Sequence, residues 1–435
     1  MKINKLMGAT ALLVGLTAVS QAQTSIYISG STSFRAQIYA GLVDLGLTLS
    51  AASSTSPAGN NSEFYSGTVT ATTLAGQTIL THGETFNIFT AFTGSAEAIN
   101  TLANPQGPGN TSPPYTTSSG AVISYAGGAD LGISDVLAST TQYAAAAANA
   151  NGGAGLTEVF SFDANPHGTG GFAVDPLTFI TTSYGLAHGI TNITGPQVNQ
   201  LLSGGTLPLS FFSLVNTDSN TPVYAVGRSN DASSRIIAQL VGFNNNGGLN
   251  TTFPLKEYAL GYSTNNDSNP ASLPPGVESI KFATGGTNWI AVGNDGYASG
   301  SYVSKSISAS PSSPATNAAA IGYVSWSDAG SLTSGKGGPI AFEGVNPTTV
   351  TSGWVPGSTV WNTNGVENGA YQYWTYTHLY ENPNVAGGST IDNFANDLVN
   401  AVLQEIHNPA NLQTALWESD LQVHRGSDGG PIVHN

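Results

Sequence analysis

Cysteine is absent from the 435 residues, which excludes disulfides and a lipid-bearing cysteine behind a leader sequence. Basic side chains are scarce, with ten Lys and Arg against 25 Asp and Glu and a formal charge of −15. Nucleic-acid binding through counterion release needs clustered cations, and no cluster exists, so that function is set aside. The seven histidines are scattered without an i, i+4 pair or a His-Glu-x-x-His, so no zinc or other metal is expected. No repeat is evident at periods of 20 to 50 residues. Beyond the amino terminus nothing supplies the roughly 18 uninterrupted apolar residues of a membrane helix.

What is present begins with Lys2 and Lys5, an apolar core from Leu6 to Val19, and Ser20-Gln21-Ala22 with small residues where a signal peptidase needs them. Residues 1–22 are therefore expected to be a signal peptide, cleaved after Ala22, and the chain to be periplasmic or secreted. Loss of Lys2 and Lys5 takes the charge from −15 to −17 (−15 − 2). A hydrophobic share of 40% with 9% aromatics is too high for disorder. The remaining 413 residues (435 − 22) exceed what one core usually spans, so two lobes are expected. Short β-rich runs such as Val223 to Val226 and Ile321 to Val324 alternate with helical patterns, as in an α/β protein. Low-complexity stretches at Ser50 to Ser62, Asn104 to Ser119, Ala144 to Gly155, Asn265 to Pro275 and Ser306 to Ala318 read as loops or insertions.

Three segments share one design. Ile26-Tyr27-Ile28 runs into Gly30-Ser31-Thr32-Ser33-Phe34 and then into Ile38, Tyr39 and Leu42 at helical spacing. Gly94-Ser95 opens a helical pattern from Ala96 to Leu102, and Ser233-Ser234 opens another from Arg235 to Val241. The first N–H groups of a helix lack internal partners and sit at the positive end of its dipole, so such turns suit an anion without many cations. Arg228, just before the third turn, adds a guanidinium fork that fits an oxyanion; the plainer alternative is an exposed arginine paired to Asp231 or Asp218. Asp135 ends an apolar strand, Leu131-Gly132-Ile133-Ser134. A carboxylate beside an anion site makes sense when the ligand carries a proton, because monohydrogen phosphate has an O–H to donate and sulfate has none. Its alternative is a helix N-cap without a ligand.

Other segments carry less chemistry. Thr194 and Gln197 form a capping box ahead of Val198, Leu201 and Leu202. A long helix is expected from Ile391 to Ile406, with Ile391, Phe394, Leu398 and Val402 on one side, packing onto the amino-terminal lobe. Gly330 to Lys336 imitates a P-loop, but Gly337 stands where Ser or Thr must hold magnesium, so it reads as a loop. His167 to Gly171 resembles an oxyanion-hole loop of esterases without any Gly-x-Ser-x-Gly elbow, and the reading preferred is a glycine-rich crossing. Tyr371, Tyr373, Trp374, Tyr376 and Tyr380 alternate as a strand with one packed face.

In chain order, these pieces resemble the periplasmic phosphate-binding proteins of ABC transporters, within the type 2 periplasmic binding fold. The resemblance spans most of the chain. It rests on the Gly30 to Phe34 turn, Gly94-Ser95, Gly132 to Asp135, Phe172 to Val174, Thr194 to Gly204, Arg228 to Ser234, Gly293 to Gly296 and Ala320 to Val324. It implies an α/β fold of two lobes with two inter-lobe crossings and a ligand cleft, lobe 1 from 24–168 plus 374–435 and lobe 2 from 169–373. It implies phosphate contacts from Thr32, Ser33, the backbone of Phe34, Ser95, Asp135, Arg228, Ser233 and Ser234. The family's Ser-Gly-Thr after the arginine is Ala232-Ser233-Ser234 here, which removes one hydroxyl and replaces a glycine. The implied function is capture of inorganic phosphate for delivery to an inner-membrane ABC permease, by a monomer with no catalytic residue and no cofactor. The alternatives are a secreted binding-fold protein for another oxyanion or with a surface or matrix role, and a secreted phosphatase-like enzyme.

Overall fold

Strand β1 (Thr24–Gly30) carries Ile26 and Ile28 into the interior and pairs in parallel with β4 (Thr85–Phe92) on one side and β5 (Leu131–Ser134) on the other. The computed structural model describes residues 23–50, 62–69, 73–74, 77–78, 83–104, 113–159, 171–243, 255–260, 262–264, 280–311, 319–349, 354–356, 360–382, 390–407, 415–417 and 420–434. The expected signal peptide, His167 to Gly170 and most of the low-complexity stretches lie outside them. Between the strands run α1 (Arg35–Asp44) and α2 (Ser95–Ala103), each entered directly from the carboxyl end of a strand. Two further strands, β2 (Thr48–Leu49) and β3 (Phe64–Thr68), extend this side in antiparallel fashion.

The strands join one large mixed sheet. Its further strands include, in chain order, β6 (Ala173–Thr182), β7 (Thr206–Pro208), β8 (Pro222–Val226), β9 (Ala319–Ser325), β10 (Gly337–Phe342) and β11 (Trp374–Glu381). The spatial order along the main path is β7-β8-β9-β6-β11-β5-β1-β4-β3-β2. The protein is thus mixed α/β, as expected. At the centre, β6 and β11 lie antiparallel, with Asp175 opposite Thr375 and Ala173 opposite Thr377. Every described residue of both strands is buried. The aromatic run from Tyr371 to Tyr380 was expected to have a packed face; its rings are buried on both, because consecutive residues of β11, which point to opposite faces, enter hydrophobic cores on each side.

Two hydrophobic cores flank this centre. One gathers Ile26, Ile28, Phe34, Leu42, Phe86, Ile133 and Phe172 with Phe394, Leu398 and Val402 of α6 (Thr390–His407), which packs on α1 as the pattern predicts. Gly41 permits that approach: a Cβ there would stand 2.7 Å from Cγ2 of Val402. The other gathers Phe179, Val198, Val223, Ile236, Ile321 and Tyr323, and also Leu416, Leu421 and Val423 from the carboxyl-terminal segment. It is covered by α3 (Gly195–Gly204), α4 (Ser233–Phe243) and α5 (Gly300–Ala309). Thr194 caps α3 with both halves of the capping box present.

Parts of the stretches expected as loops are regular: residues 306–309 complete α5, and Tyr115–Thr116 pair as a short strand with Val122–Ile123. Residues 144–153 form a helix, because a run of alanines is the strongest intrinsic helix former and outweighs low complexity. Gly330 to Lys336 is a connection between Ala329 and β10, as expected. Among the described residues no helix is long and apolar enough to cross a membrane.

Candidate functional site

The carboxyl ends of β1, β4 and β5 are drawn together by close backbone contacts. A Cβ at Gly30 would lie 2.8 Å from both Cβ and the carbonyl oxygen of Ile133. With only hydrogen there, the Ser31 N–H donates to the Ile133 carbonyl at 2.9 Å and the Gly94 N–H to the Gly30 carbonyl at 3.0 Å. The turns after three parallel strands therefore share one place, where ligands of open α/β sheets sit. Ser31, Thr32 and Ser33 come from the first turn, Ser95 from the second and Asp135 from the third.

Asp135 is the hub. Its side chain is fully buried, and its Oδ2 accepts from the hydroxyls of Ser31 and Ser33 in short contacts. The same oxygen accepts from Ser233 at 3.2 Å and from Ser95 at 3.5 Å. Oδ1 accepts from Thr377 Oγ1 at 3.0 Å, and the Asp135 carbonyl accepts from Thr375. Burial pushes this carboxyl up, while the hydroxyls of Ser31, Ser33, Thr377 and Ser233 pull it back toward the charged form. The N-cap alternative is not what the side chain does, since its oxygens take hydroxyl donors from four separate segments.

From the other core comes Arg228, just beyond β8. It is 2% exposed, not the exposed arginine of the plainer alternative; Asp218 accepts from Ser213 at 2.7 Å and Asp231 from Gln142 at 2.9 Å. Nε of Arg228 donates to the Tyr297 carbonyl at 3.0 Å, and Nη2 donates to the Ala298 carbonyl at 3.0 Å and to Thr32 Oγ1 at 3.1 Å. Behind it stands Arg235, whose Nη1 donates to the Arg228 carbonyl at 2.9 Å and whose Nη2 donates to Asn294 Oδ1 at 2.5 Å. Glu257 lies 3.5 Å from Arg235 and accepts the Tyr323 hydroxyl. Burial pushes Glu257 up to about 7 despite the arginine. Among the described residues no group of three or more metal-ligating side chains occurs.

The two halves meet across the site. Besides Arg228 on Thr32 and Ser233 on Asp135, the Ala96 N–H at the start of α2 donates to the Asp231 carbonyl at 3.0 Å, and Ser327 donates to the Ser33 carbonyl at 2.9 Å. Of the residues singled out in the sequence, Ser33, Ser95, Asp135 and Ser233 form one cluster and Thr32 with Arg228 a second contact at its edge. Phe34 is buried edge-on against Phe172. Ser234 is buried, with a hydroxyl that has no hydrogen-bond partner.

Sequence reasoning missed Ser31, Thr375 and Thr377, which bond Asp135, and Asp175, which pairs with Thr375 across the sheet. Ser31 lies in the same turn as Ser33. Thr375 and Thr377 are two apart in a strand, hence on one face, a signal masked by the aromatic run around them. Asp175 is a charged residue inside an apolar stretch, and that alone could have marked it.

No protein-family model matches the chain, and no curated protein matches it. Solved structures similar to it include a putative phosphate ABC transporter substrate-binding protein with bound phosphate from Clostridium perfringens, at 15% identity and TM-score 0.42 over 87% of this chain and 93% of that one. An ABC-type phosphate transport receptor from Vibrio cholerae is similar at 13% identity and TM-score 0.37, over 86% of this chain and 93% of that one. A possible phosphate binding protein from Planctomyces limnophilus is similar at 10% identity and TM-score 0.32, over 82% and 81%.

Proposed function

We propose that the chain is an extracytoplasmic solute-binding protein that captures inorganic phosphate between two lobes and presents the closed complex to an ABC permease. The reading rests above all on the convergence at Asp135: hydroxyls of Ser33, Ser95 and Ser233, from three distant segments, reach one buried carboxylate oxygen. Donors so arranged serve an oxyanion, with the Arg228 fork beside them. The carboxylate in their midst accepts a proton that monohydrogen phosphate carries and sulfate lacks. No covalent step is part of the proposal.

The proposed lobes are 24–168 with 374–435, and 169–373. β6 and β11 are then the crossings about which the halves swing. A ligand held by Ser33 and Asp135 on one side and by Arg228 and Ser233 on the other favours the shut state. Thr32, Phe34, Ser95 and Ser234 complete the proposed set of contacts.

Isothermal titration of the mature protein with phosphate, sulfate and molybdate tests this. The expected result is phosphate binding with Kd at or below about 1 µM and no response to sulfate. Silence toward every oxyanion overturns the reading, and turnover of a phosphomonoester replaces it with an enzyme.

A further inference from the structure

Asp175 lies on β6, where the chain passes from the first core to the second, and faces Thr375 across the sheet. Its side chain is 1% exposed. Cross-strand partners project from the same face of a sheet, and the hydroxyl of Thr375 donates to the Asp135 carbonyl. Asp175 therefore stands on the side of the sheet that carries Asp135. The second oxygen of Asp175, Oδ2, is buried without a hydrogen-bond partner, and a buried charged acceptor left so is costly. The titratable groups that face Asp175 are Asp135 beyond β5, Asp328 beyond β9 and Tyr373 ahead of β11, all of them acids. The guanidinium groups of Arg228 and Arg35 act on Asp328.

Two buried carboxylates beside an anion site repel a dianion unless a further proton is present. We infer that Asp175 is a second proton-accepting carboxylate of the site, so that the closed complex holds two exchangeable protons among the ligand oxygens, Asp135 and Asp175. The site then selects an oxyacid able to bring both, dihydrogen phosphate over the dianion. Burial, with the Asp135 charge adding to it, holds the Asp175 carboxyl well above the ordinary carboxylate range, in keeping with a group that retains or shares a proton. The proton count belongs to the cluster, whichever oxygen carries each proton. The inference rests on the phosphate reading and adds a specificity residue to it.

The balance gives the test. Once pH exceeds both the second ionisation of phosphate and the titration of Asp175, the dianion binds only with one proton taken from solution. Affinity then falls by up to tenfold per pH unit. Titration of wild-type protein with inorganic phosphate between about pH 8 and pH 10, in two buffers of different ionisation enthalpy, counts that proton directly. The expected uptake approaches one per phosphate. Asp175→Asn should bring it near zero and remove the slope, so that at the alkaline end the variant binds phosphate several-fold more tightly than wild type while still excluding sulfate through Asp135. Phosphate binding by wild type without proton uptake overturns the inference and leaves the phosphate reading standing; so does an Asp175→Asn protein that keeps the slope. No response to phosphate at any pH overturns the parent reading. The wild-type count needs no variant, so a poorly folding substitution does not shield the inference.

Discussion

Ser33 shows how little freedom the site leaves to a single residue. Its hydroxyl reaches Asp135, its carbonyl accepts from Ser327, and Ser31 lies 2.7 Å from its oxygen. Asp135 gains enough hydroxyl donors to stay buried without a cation in contact, a balance between desolvation and hydrogen bonding. Replacing it tests the proton-acceptor role. Asp135→Asn keeps the shape and can donate to an oxygen that carries no proton, so the preference for phosphate over sulfate should narrow by about tenfold or more, on the order of 1–3 kcal/mol for one buried unmatched partner. Competition titration with the two anions reads the ratio, and an unchanged ratio removes Asp135 from that role. Serine in small-residue turns and an acid at a strand end were visible in the sequence. The placing of Asp175 on the face that carries Asp135 was not, because β6 is remote from the turn in the chain.

At the scale of elements, local chemistry and tertiary contact divide the work. The α3 start is local: Thr194 accepts from the Gln197 N–H, and Gln197 accepts back from the Thr194 N–H at 2.9 Å. Thr194→Ala should lower stability by about 1 kcal/mol, read as a shift in the urea midpoint at constant slope. A change below a few tenths would show that packing of Val198, Leu201 and Leu202 alone sets that helix. In contrast, α2 begins at Gly94 with no side-chain cap, and its Ala96 N–H is taken by the Asp231 carbonyl from the other half of the molecule. That helix start was legible as a turn; its partner was not. The helix over 144–153 went unread because low complexity was given more weight than alanine's propensity.

Across the whole molecule, buried acids set a common pH response. Burial raises Asp135, Asp175, Asp328 and Asp428, Asp231 to about 6 and Glu257 to about 7. An acid whose folded pKa exceeds its unfolded value binds more protons when folded, so stability declines as pH climbs from the unfolded to the folded pKa. For Glu257 that window runs from 4.5, its ordinary value, to about 7. The melting temperature should therefore drop between about pH 5 and pH 7, and Glu257→Gln should flatten part of the drop. A melting temperature that rises through this range contradicts the assignment. Charge composition already indicated an acidic chain with few cations, but not that so many acids lie inside.

By itself the sequence determined the elements and their chemistry: strand-turn-helix units closed by serine, a capping box, a long amphipathic carboxyl-terminal helix and the alternation of an α/β chain. These follow from periodicity and from residues acting on their own neighbours, interactions that short separation makes certain. Only the tertiary structure decided that turns at 31–34, 95, 135 and 228–234 meet, that Thr375, Thr377 and Asp175 join them from the central strands, and that Leu416, Leu421 and Val423 return to the second core. Those are contacts between segments far apart in the chain, chosen by which strand ends the sheet order sets side by side, and no local pattern encodes that order.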